Sequence, residues 1–128
     1  MTSARIAIRP LTVADLPAVL AIEQASFPRP WSEHSFRQEL VRPDRIWMAA
    51  VSPAADGADV LLGFGGVMLV DDEAHLMDIA VDPAHRGAGI ARRLLWDLAA
   101  ASVARGAARM TLAAGPDALD LAVHHDAA

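Results

Sequence analysis

Hydrophobic residues near the start of the chain occur at two different spacings. Alternation over residues 5–9 is typical of a short strand, which Pro10 ends. A spacing of three and four residues then predicts a helix over residues 13–25, with Thr12 as its N-cap. The apolar positions of this helix are Leu16, Val19, Leu20 and Ile22. The chain is therefore expected to begin with a strand and an amphipathic helix.

The middle of the chain predicts a second short helix and three strands. Two prolines make residues 27–31 a loop, and Ser32 is a favourable cap for the helix after it. Apolar runs separated by polar turns then predict three successive strands. They cover residues 46–51, 60–70 and 74–81.

The last predicted elements are an amphipathic helix over residues 89–104, which Gly106 ends, and a short strand over residues 108–113. The complete order is strand, helix, helix, three strands, helix, strand. It indicates an α/β fold with a mixed central sheet flanked by helices. Residues 1–128 are expected to form a single domain, because this length suffices for one core but not for two.

Composition excludes several classes of function. A formal net charge of −5 and a pI of about 5.4 argue against a nucleic-acid partner, which would need a basic face. The chain has no cysteine, so disulfides and thiolate chemistry are excluded. No signal peptide or membrane-spanning apolar run is found, and we expect a soluble, cytoplasmic chain. No metal site is predicted, since His124 and His125 are interpreted as solvated and residues 71–73 as a polar turn.

Three tryptophans could in principle stack a base. Without a basic face, Trp47 and Trp96 are interpreted as core residues. Trp31 could belong either to the core or to a substrate-binding loop.

The most informative segment follows the strand predicted at residues 74–81. Gly87 and Gly89 flank one residue where this strand gives way to a helix, so successive backbone N–H groups can face an anion. Arg86, Arg92 and Arg93 add local positive charge in an acidic chain. These features indicate a phosphate or pyrophosphate site, although glycine-x-glycine alone also fits an ordinary turn. A Walker loop is excluded because the chain has no lysine, and the dinucleotide fingerprint fits poorly this late in the chain.

The extended spacing resembles the signature of the GNAT superfamily of acyl-CoA N-acyltransferases. That signature has arginine or glutamine, two residues, glycine, one residue, then glycine or alanine, here Arg86, Gly89 and Ala91. The preceding Ile-Ala-Val-Asp-Pro at residues 79–83 is also similar. Phe-Pro-Arg-Pro-Trp-Ser at residues 27–32 further resembles the ribosomal-protein-alanine N-acetyltransferase (RimI) family.

The resemblance covers roughly residues 5–112 and implies acetyl-CoA as co-substrate. The implied acceptor is the N-terminal α-amine of a protein, in the first instance the N-terminal alanine of a ribosomal protein. It implies a GNAT fold, with cofactor contacts at one strand end and the following loop. These cofactor residues are Ile79, Ala80, Val81, Arg86, Gly87, Ala88, Gly89, Ile90, Ala91 and Arg92. The implied acceptor residues are Phe27, Pro30 and Trp31. Two alternatives remain open: an acyl-CoA-binding domain with impaired catalysis, and acetylation of a small amine.

The C-terminal part departs from the resemblance. Ala113 stands where the family has its glutamate base, and the chain has no tyrosine to serve as the family's acid, so no catalytic residue is assigned. Either the product is shortened or frameshifted and lacks the usual last helix and strands, or it is a variant without these groups. Glu73, His75 and Asp78 could replace the base but are interpreted as ordinary polar positions. Strand alternation predicts His75 on the same face as Ile79, with Asp78 opposite.

Overall fold

The computed structural model describes residues 5–54 and 58–112, which form one five-stranded sheet and three α-helices. The strands are β1 (Ala7–Pro10), β2 (Arg45–Pro53), β3 (Asp59–Val70), β4 (Glu73–Val81) and β5 (Arg109–Thr111). The helices are α1 (Leu16–Ser26), α2 (Glu33–Leu40) and α3 (Ile90–Ala104), with single 3-10 turns at Val13–Asp15 and Pro83–His85. The predicted order of elements is confirmed, and most boundaries differ by one or two residues.

The sheet has the strand order β1-β2-β3-β4-β5. Its first three pairs are antiparallel, and β4 pairs with β5 in parallel. Helix α3 forms the crossover between these two parallel strands, as a parallel pair requires. The predicted mixed sheet flanked by helices is therefore confirmed. Ala113 and the two adjacent histidines, His124 and His125, lie outside the described residues.

Two hydrophobic clusters cover the two faces of the sheet. One packs α3 against β3 and β4 through buried residues that include Leu62, Leu76, Ile79, Ile90, Leu94 and Leu98. The other packs α1 and α2 against β2 and β3 through Leu16, Val19, Phe36, Trp47 and Phe64. The chain thus buries both faces of its sheet, in the manner of a three-layer α/β domain.

A bulge in β4 changes which residues share a face. Val67 of β3 pairs with Leu76, whereas the preceding residue, Gly66, pairs with Asp78, so Met77 is an extra residue in β4. Leu76 and Ile79 consequently both face α3. The prediction that His75 shares a face with Ile79 is wrong, because it assumed an unbroken two-residue period.

The tryptophans divide differently from the prediction. Trp47 lies in the core, with 5% of its surface exposed, as predicted. Trp96 is 70% exposed on α3, so its interpretation as a core residue is wrong. The helical spacing that predicted α3 does not require every large apolar side chain to lie on the buried stripe.

None of the helices in the described part of the chain is long and apolar enough to cross a membrane.

Candidate active site

The half of β4 that leads into the glycine loop has an open edge. Strand β5 pairs only with residues 73–75, so the rest of β4 has no neighbour on that side among the described residues. The Asp82 amide donates to the Leu62 carbonyl oxygen of β3 at 2.7 Å, and alternation places the backbone of Ala80 toward β3 as well. Ile79 and Val81 therefore present their backbone groups to the open edge.

The loop after β4 depends on two glycines for its shape. Gly87 has φ +85° and Gly89 has φ +80°, a left-handed conformation that costs other residues about 1–2 kcal/mol. A Cβ atom added at either position would meet nothing within 4 Å. Glycine is therefore required here by backbone conformation and not by crowding. The space beside the loop is open.

The amides from Arg86 to Arg92 donate to no backbone carbonyl in the described part of the chain. Regular bonding in α3 begins only with the Arg93 amide, which donates to the Gly89 carbonyl oxygen at 3.1 Å. Unbonded N–H groups at a helix N-terminus carry a partial positive charge and suit phosphate oxygens. Amides that were already bonded within the protein would contradict a phosphate site. The amides from Arg86 to Arg92 have no such bond in the described part of the chain. A diphosphate group fits these donors.

Two of the three arginines near this loop are held by the protein itself. Arg86 donates from Nε to the Val81 carbonyl oxygen at 3.1 Å and from Nη2 to Ser26 Oγ at 3.0 Å. Arg93 donates to the Ile6 carbonyl oxygen at 2.9 Å. Arg92 is exposed and makes no hydrogen bond or ion pair within the described residues. Arg92 is consequently the arginine of this group whose charge is available to a ligand.

The loop between α1 and α2 packs on an aromatic cluster. The ring of Trp31 lies 5.3 Å from that of Phe36 and 5.8 Å from that of Trp47, measured between centroids. Phe27 and Trp31 are half-buried, whereas Pro30 is exposed. The two readings of Trp31 are thus compatible: it packs against the core and also lines the loop. We name residues 27–32 the acceptor loop, after the role that the family resemblance implies for them.

A buried carboxyl pair, which sequence reasoning missed, joins α1 to β4. Glu23 is 1% exposed and Asp78 is 5% exposed, and each carboxyl group has one buried oxygen, Oε1 and Oδ2 respectively, without a conventional donor. Burial, together with the facing Glu23 carboxyl, raises the pKa of Asp78 to about 9. The sequence held one signal: Glu23 follows Leu16 and Val19 at helical spacing, which places it on the buried stripe.

The three residues considered as substitutes for the missing base occupy different environments. Glu73 lies 3.1 Å from His75 Nε2 and 3.2 Å from Arg109 Nη2 through its carboxylate oxygens. Asp78 is buried, and its raised pKa keeps it protonated at neutral pH, where it cannot accept a proton from an amine. Reading Asp78 as an ordinary polar strand residue was therefore wrong. The catalytic residue stays unassigned.

The polar turn before β4 is held by an ion pair. Arg109 Nη2 lies 3.3 Å from Asp72 Oδ1, so the turn is tied to β5. Asp71 adopts φ +54°, which an aspartate tolerates in a tight turn. Within residues 5–54 and 58–112, no three histidine, aspartate or glutamate side chains converge as a metal site would require.

Comparison with known proteins places this arrangement in a family. Residues 16–124 match the Acetyltransferase (GNAT) family, and the chain belongs to that family. The family supports acetyl-CoA-dependent N-acetyl transfer as the class of activity, and acetyl-CoA is the co-substrate that fits it. The predicted GNAT fold is confirmed.

Within the family, the chain is similar to RimI proteins. It is 34% identical over 105 residues to the ribosomal protein bS18-alanine N-acetyltransferase of Escherichia coli, covering 82% of this chain and 67% of that protein. It is 32% identical to the N-alpha-acetyltransferase RimI of Mycobacterium tuberculosis, covering 73% of this chain and 60% of that protein. The crystal structure of the ribosomal-protein-S18-alanine N-acetyltransferase from Escherichia coli superimposes with a TM-score of 0.71 at 29% identity, covering 94% of this chain and 76% of that one.

Proposed function

We propose that the chain transfers an acetyl group from acetyl-CoA to the N-terminal α-amine of a protein, with an alanine of a ribosomal protein as the first acceptor to test. The observation that carries this proposal is the run of unbonded amides from Arg86 to Arg92 beside the open edge of β4. A cytoplasmic location follows from such an acceptor.

The cofactor would lie along the open edge and across the glycine loop. Two backbone groups at that edge have no partner among the described residues: the Ile79 carbonyl, which can accept, and the Val81 amide, which can donate. They would pair with an N–H group and a carbonyl oxygen of the pantetheine arm. The amides of Gly87 to Arg92 would hold the diphosphate. The thioester supplies an acetyl group activated for attack by an amine. Ala80 bonds toward β3, and we do not assign it a cofactor bond.

The acceptor assignment rests on the loop of residues 27–32 and on the relatives. The loop presents exposed Pro30 beside half-buried Phe27 and Trp31. Relatives at 32–38% identity are named as alanine or N-alpha-acetyltransferases of the RimI kind. Amine attack on the thioester requires a neutral amine, so a group on the enzyme or water must take its proton.

The cofactor site is tested by a matched pair of glycine substitutions. Gly89→Ala forces a side chain into the loop conformation, whereas Gly106→Ala imposes similar strain at the far end of α3, where φ is +100°. In calorimetric titration with acetyl-CoA we expect the first variant to bind at least about tenfold more weakly, a loss of about 1.4 kcal/mol. The second should bind like the unaltered protein. Equal losses in both variants would contradict the site.

The acceptor is tested by a panel of amines. Peptides starting with alanine or serine, a peptide whose only free amine is a lysine side chain, and a small polyamine would be compared for acetyl transfer. We expect the alanine-starting peptide to be preferred. Preference for the polyamine would favour a small-amine acetyltransferase instead.

A second candidate function is acyl-CoA binding without efficient turnover. It is favoured by Ala113 at the position of the family's glutamate base and by the absence of tyrosine from the 128 residues. Tight acetyl-CoA binding combined with no acetyl transfer to any member of the panel would select this function.

A further inference from the structure

The carboxyl pair of Glu23 and Asp78 lies between the acceptor loop and the open edge of β4, which we name the cofactor edge because the proposed cofactor would lie along it. Glu23 Oε2 accepts a hydrogen bond from the Trp31 amide at 2.9 Å, which ties the pair to the acceptor loop. Asp78 directly precedes Ile79, whose backbone faces the open edge of β4. One pair of side chains therefore contacts both halves of the candidate site.

The remaining oxygens of the pair have no conventional donor. Glu23 Oε1 and Asp78 Oδ2 are both buried and accept no hydrogen bond from another described residue. Buried polar atoms without partners are costly, at about 1–3 kcal/mol each. The side-chain hydrogen bond between the Asp78 and Glu23 carboxyl groups requires a proton on one of them, which leaves a single negative charge on the pair.

The surroundings offer no positive charge to stabilise a second negative one. On β4 the neighbouring ionisable residue is His75, which pairs with Glu73, and on β3 the residue opposite Asp78 is Gly66. Arg86, in the loop after β4, donates to other oxygens. Among the described residues, neither carboxyl group of the pair forms an ion pair with an arginine or histidine. Two adjacent buried carboxylates would therefore repel, as in other carboxyl dyads.

We propose that Glu23 and Asp78 are positioning residues, and that one proton shared between them fixes the acceptor loop against the cofactor edge of β4. The acceptor role of this loop rests on the function proposed above. The pairing of the two carboxyl groups does not. Loss of the shared proton converts an attractive contact into a repulsive one and weakens the hold of Glu23 on the Trp31 amide.

The proposal predicts that order in the acceptor loop is lost at alkaline pH. Burial and the Glu23 carboxyl raise the pKa of Asp78 to about 9, so the proton is present at neutral pH and leaves as pH rises through that value. Acetyl-CoA contacts made by backbone amides of the loop carry no group that titrates in this window. Acceptor affinity is therefore expected to fall while cofactor affinity stays constant.

The test follows the Trp31 amide resonance of the full chain by NMR between about pH 7 and about pH 10, in the unaltered protein and in Asp78→Asn. The asparagine amide can donate to Glu23 Oε1 without a titrating proton. We expect the Trp31 amide shift to titrate near pH 9 in the first protein and to stay flat in the second. The carbon-13 resonance of the Asp78 carboxyl group, recorded on the unaltered protein, should titrate at the same pH.

Binding measurements separate this inference from the proposed function. Affinities for acetyl-CoA, and for an alanine-starting peptide in the presence of CoA, would be measured over the same pH range. The peptide's own amine titrates identically in the presence of either protein. If the affinity for the peptide falls above pH 9 roughly tenfold more per pH unit in the unaltered protein than in Asp78→Asn, the difference is due to the carboxyl pair. Failure to bind acetyl-CoA would contradict the proposed function. The Trp31 titration would still show whether Glu23 and Asp78 share a proton.

Two results would overturn the proposal. One is a Trp31 amide that does not respond to alkaline pH in the unaltered protein while the Asp78 carboxyl carbon remains constant. The other is an identical titration in Asp78→Asn. If that variant does not fold, the carbon-13 titration of the unaltered protein still decides whether a proton is shared.

Discussion

The proposed cofactor region and the proposed acceptor region of this chain are formed by different kinds of groups. Around Gly87 and Gly89 the proposed recognition groups are backbone amides, and the nearby side chains mostly hold the loop in place. Around Trp31 the proposed recognition surface is a loop that packs on buried side chains of α1, α2 and β2, which meet only in the folded protein. The first region is specified by local conformation, the second by tertiary packing.

This difference indicates how each region should tolerate change. A backbone site is insensitive to most side-chain substitutions but sensitive to the loss of a glycine with positive φ. A side-chain site inherits the energetics of the core against which it packs, so substitutions there alter stability and binding together. Mutations can therefore be chosen to affect one region and spare the other.

The largest expected effect lies in the aromatic cluster beneath the acceptor loop. Trp47 is 5% exposed and its ring lies 5.8 Å from that of Trp31 and 5.7 Å from that of Phe36. Trp47→Ala should lower the free energy of unfolding by about 3–5 kcal/mol, because it removes a large buried ring and leaves a cavity. Urea unfolding measures this loss.

The matched control is Trp96→Ala, since that side chain is 70% exposed on α3. We expect a change within about 0.5 kcal/mol there. Comparable losses in the two variants would mean that the acceptor side is no more dependent on packing than the outer face of α3, and the contrast between the two regions would fail.

The same contrast explains what could be predicted from the sequence. The glycine loop was located from Gly87 and Gly89 because their conformational freedom is a property of the residues themselves. Periodicity predicted every strand and helix of the described chain, since each buries one face or stripe. These signals are local.

The missed features depend on contacts between distant segments. The pairing of Glu23 with Asp78 joins α1 to β4, and helical spacing placed Glu23 on a buried stripe without naming its partner. The bulge at Met77 changes the alternation of β4, and β4 contains no glycine or proline from which a bulge could have been predicted. For Trp96, size and hydrophobicity suggested burial, but its position on α3 faces outward.

The second largest effect is a difference in the pH dependence of stability. The pKa of Asp78 rises from 3.8 to about 9 on folding, so between these values the native state holds a proton that the unfolded state has released. The free energy of unfolding should therefore fall as pH rises, by up to about 1.4 kcal/mol per unit, and level off above pH 9.

Asp78→Asn removes that proton, so the variant should gain stability relative to the unaltered protein as pH rises from 6 to about 9. Urea unfolding at several pH values measures the difference between the two slopes. Histidines and other groups titrate in both proteins and cancel in the comparison. Parallel pH profiles would show that the carboxyl pair does not carry a shared proton.

The smallest expected effect concerns charge beside the cofactor loop. Arg92 is exposed and has no partner in the described part of the chain, whereas neighbouring Arg93 donates to the Ile6 carbonyl oxygen at 2.9 Å. Arg92→Ala should weaken acetyl-CoA binding by about 0.3–1 kcal/mol, because an exposed charge near a diphosphate is strongly screened. Arg93→Ala should affect binding less, since its guanidinium already donates to Ile6, the residue before β1. Calorimetric titration at low and high salt distinguishes the two, because only the Arg92 contribution should shrink as salt is added. A large, salt-independent loss in Arg92→Ala would mean that the side chain contacts the cofactor directly, and that the cofactor region is not recognised by backbone alone.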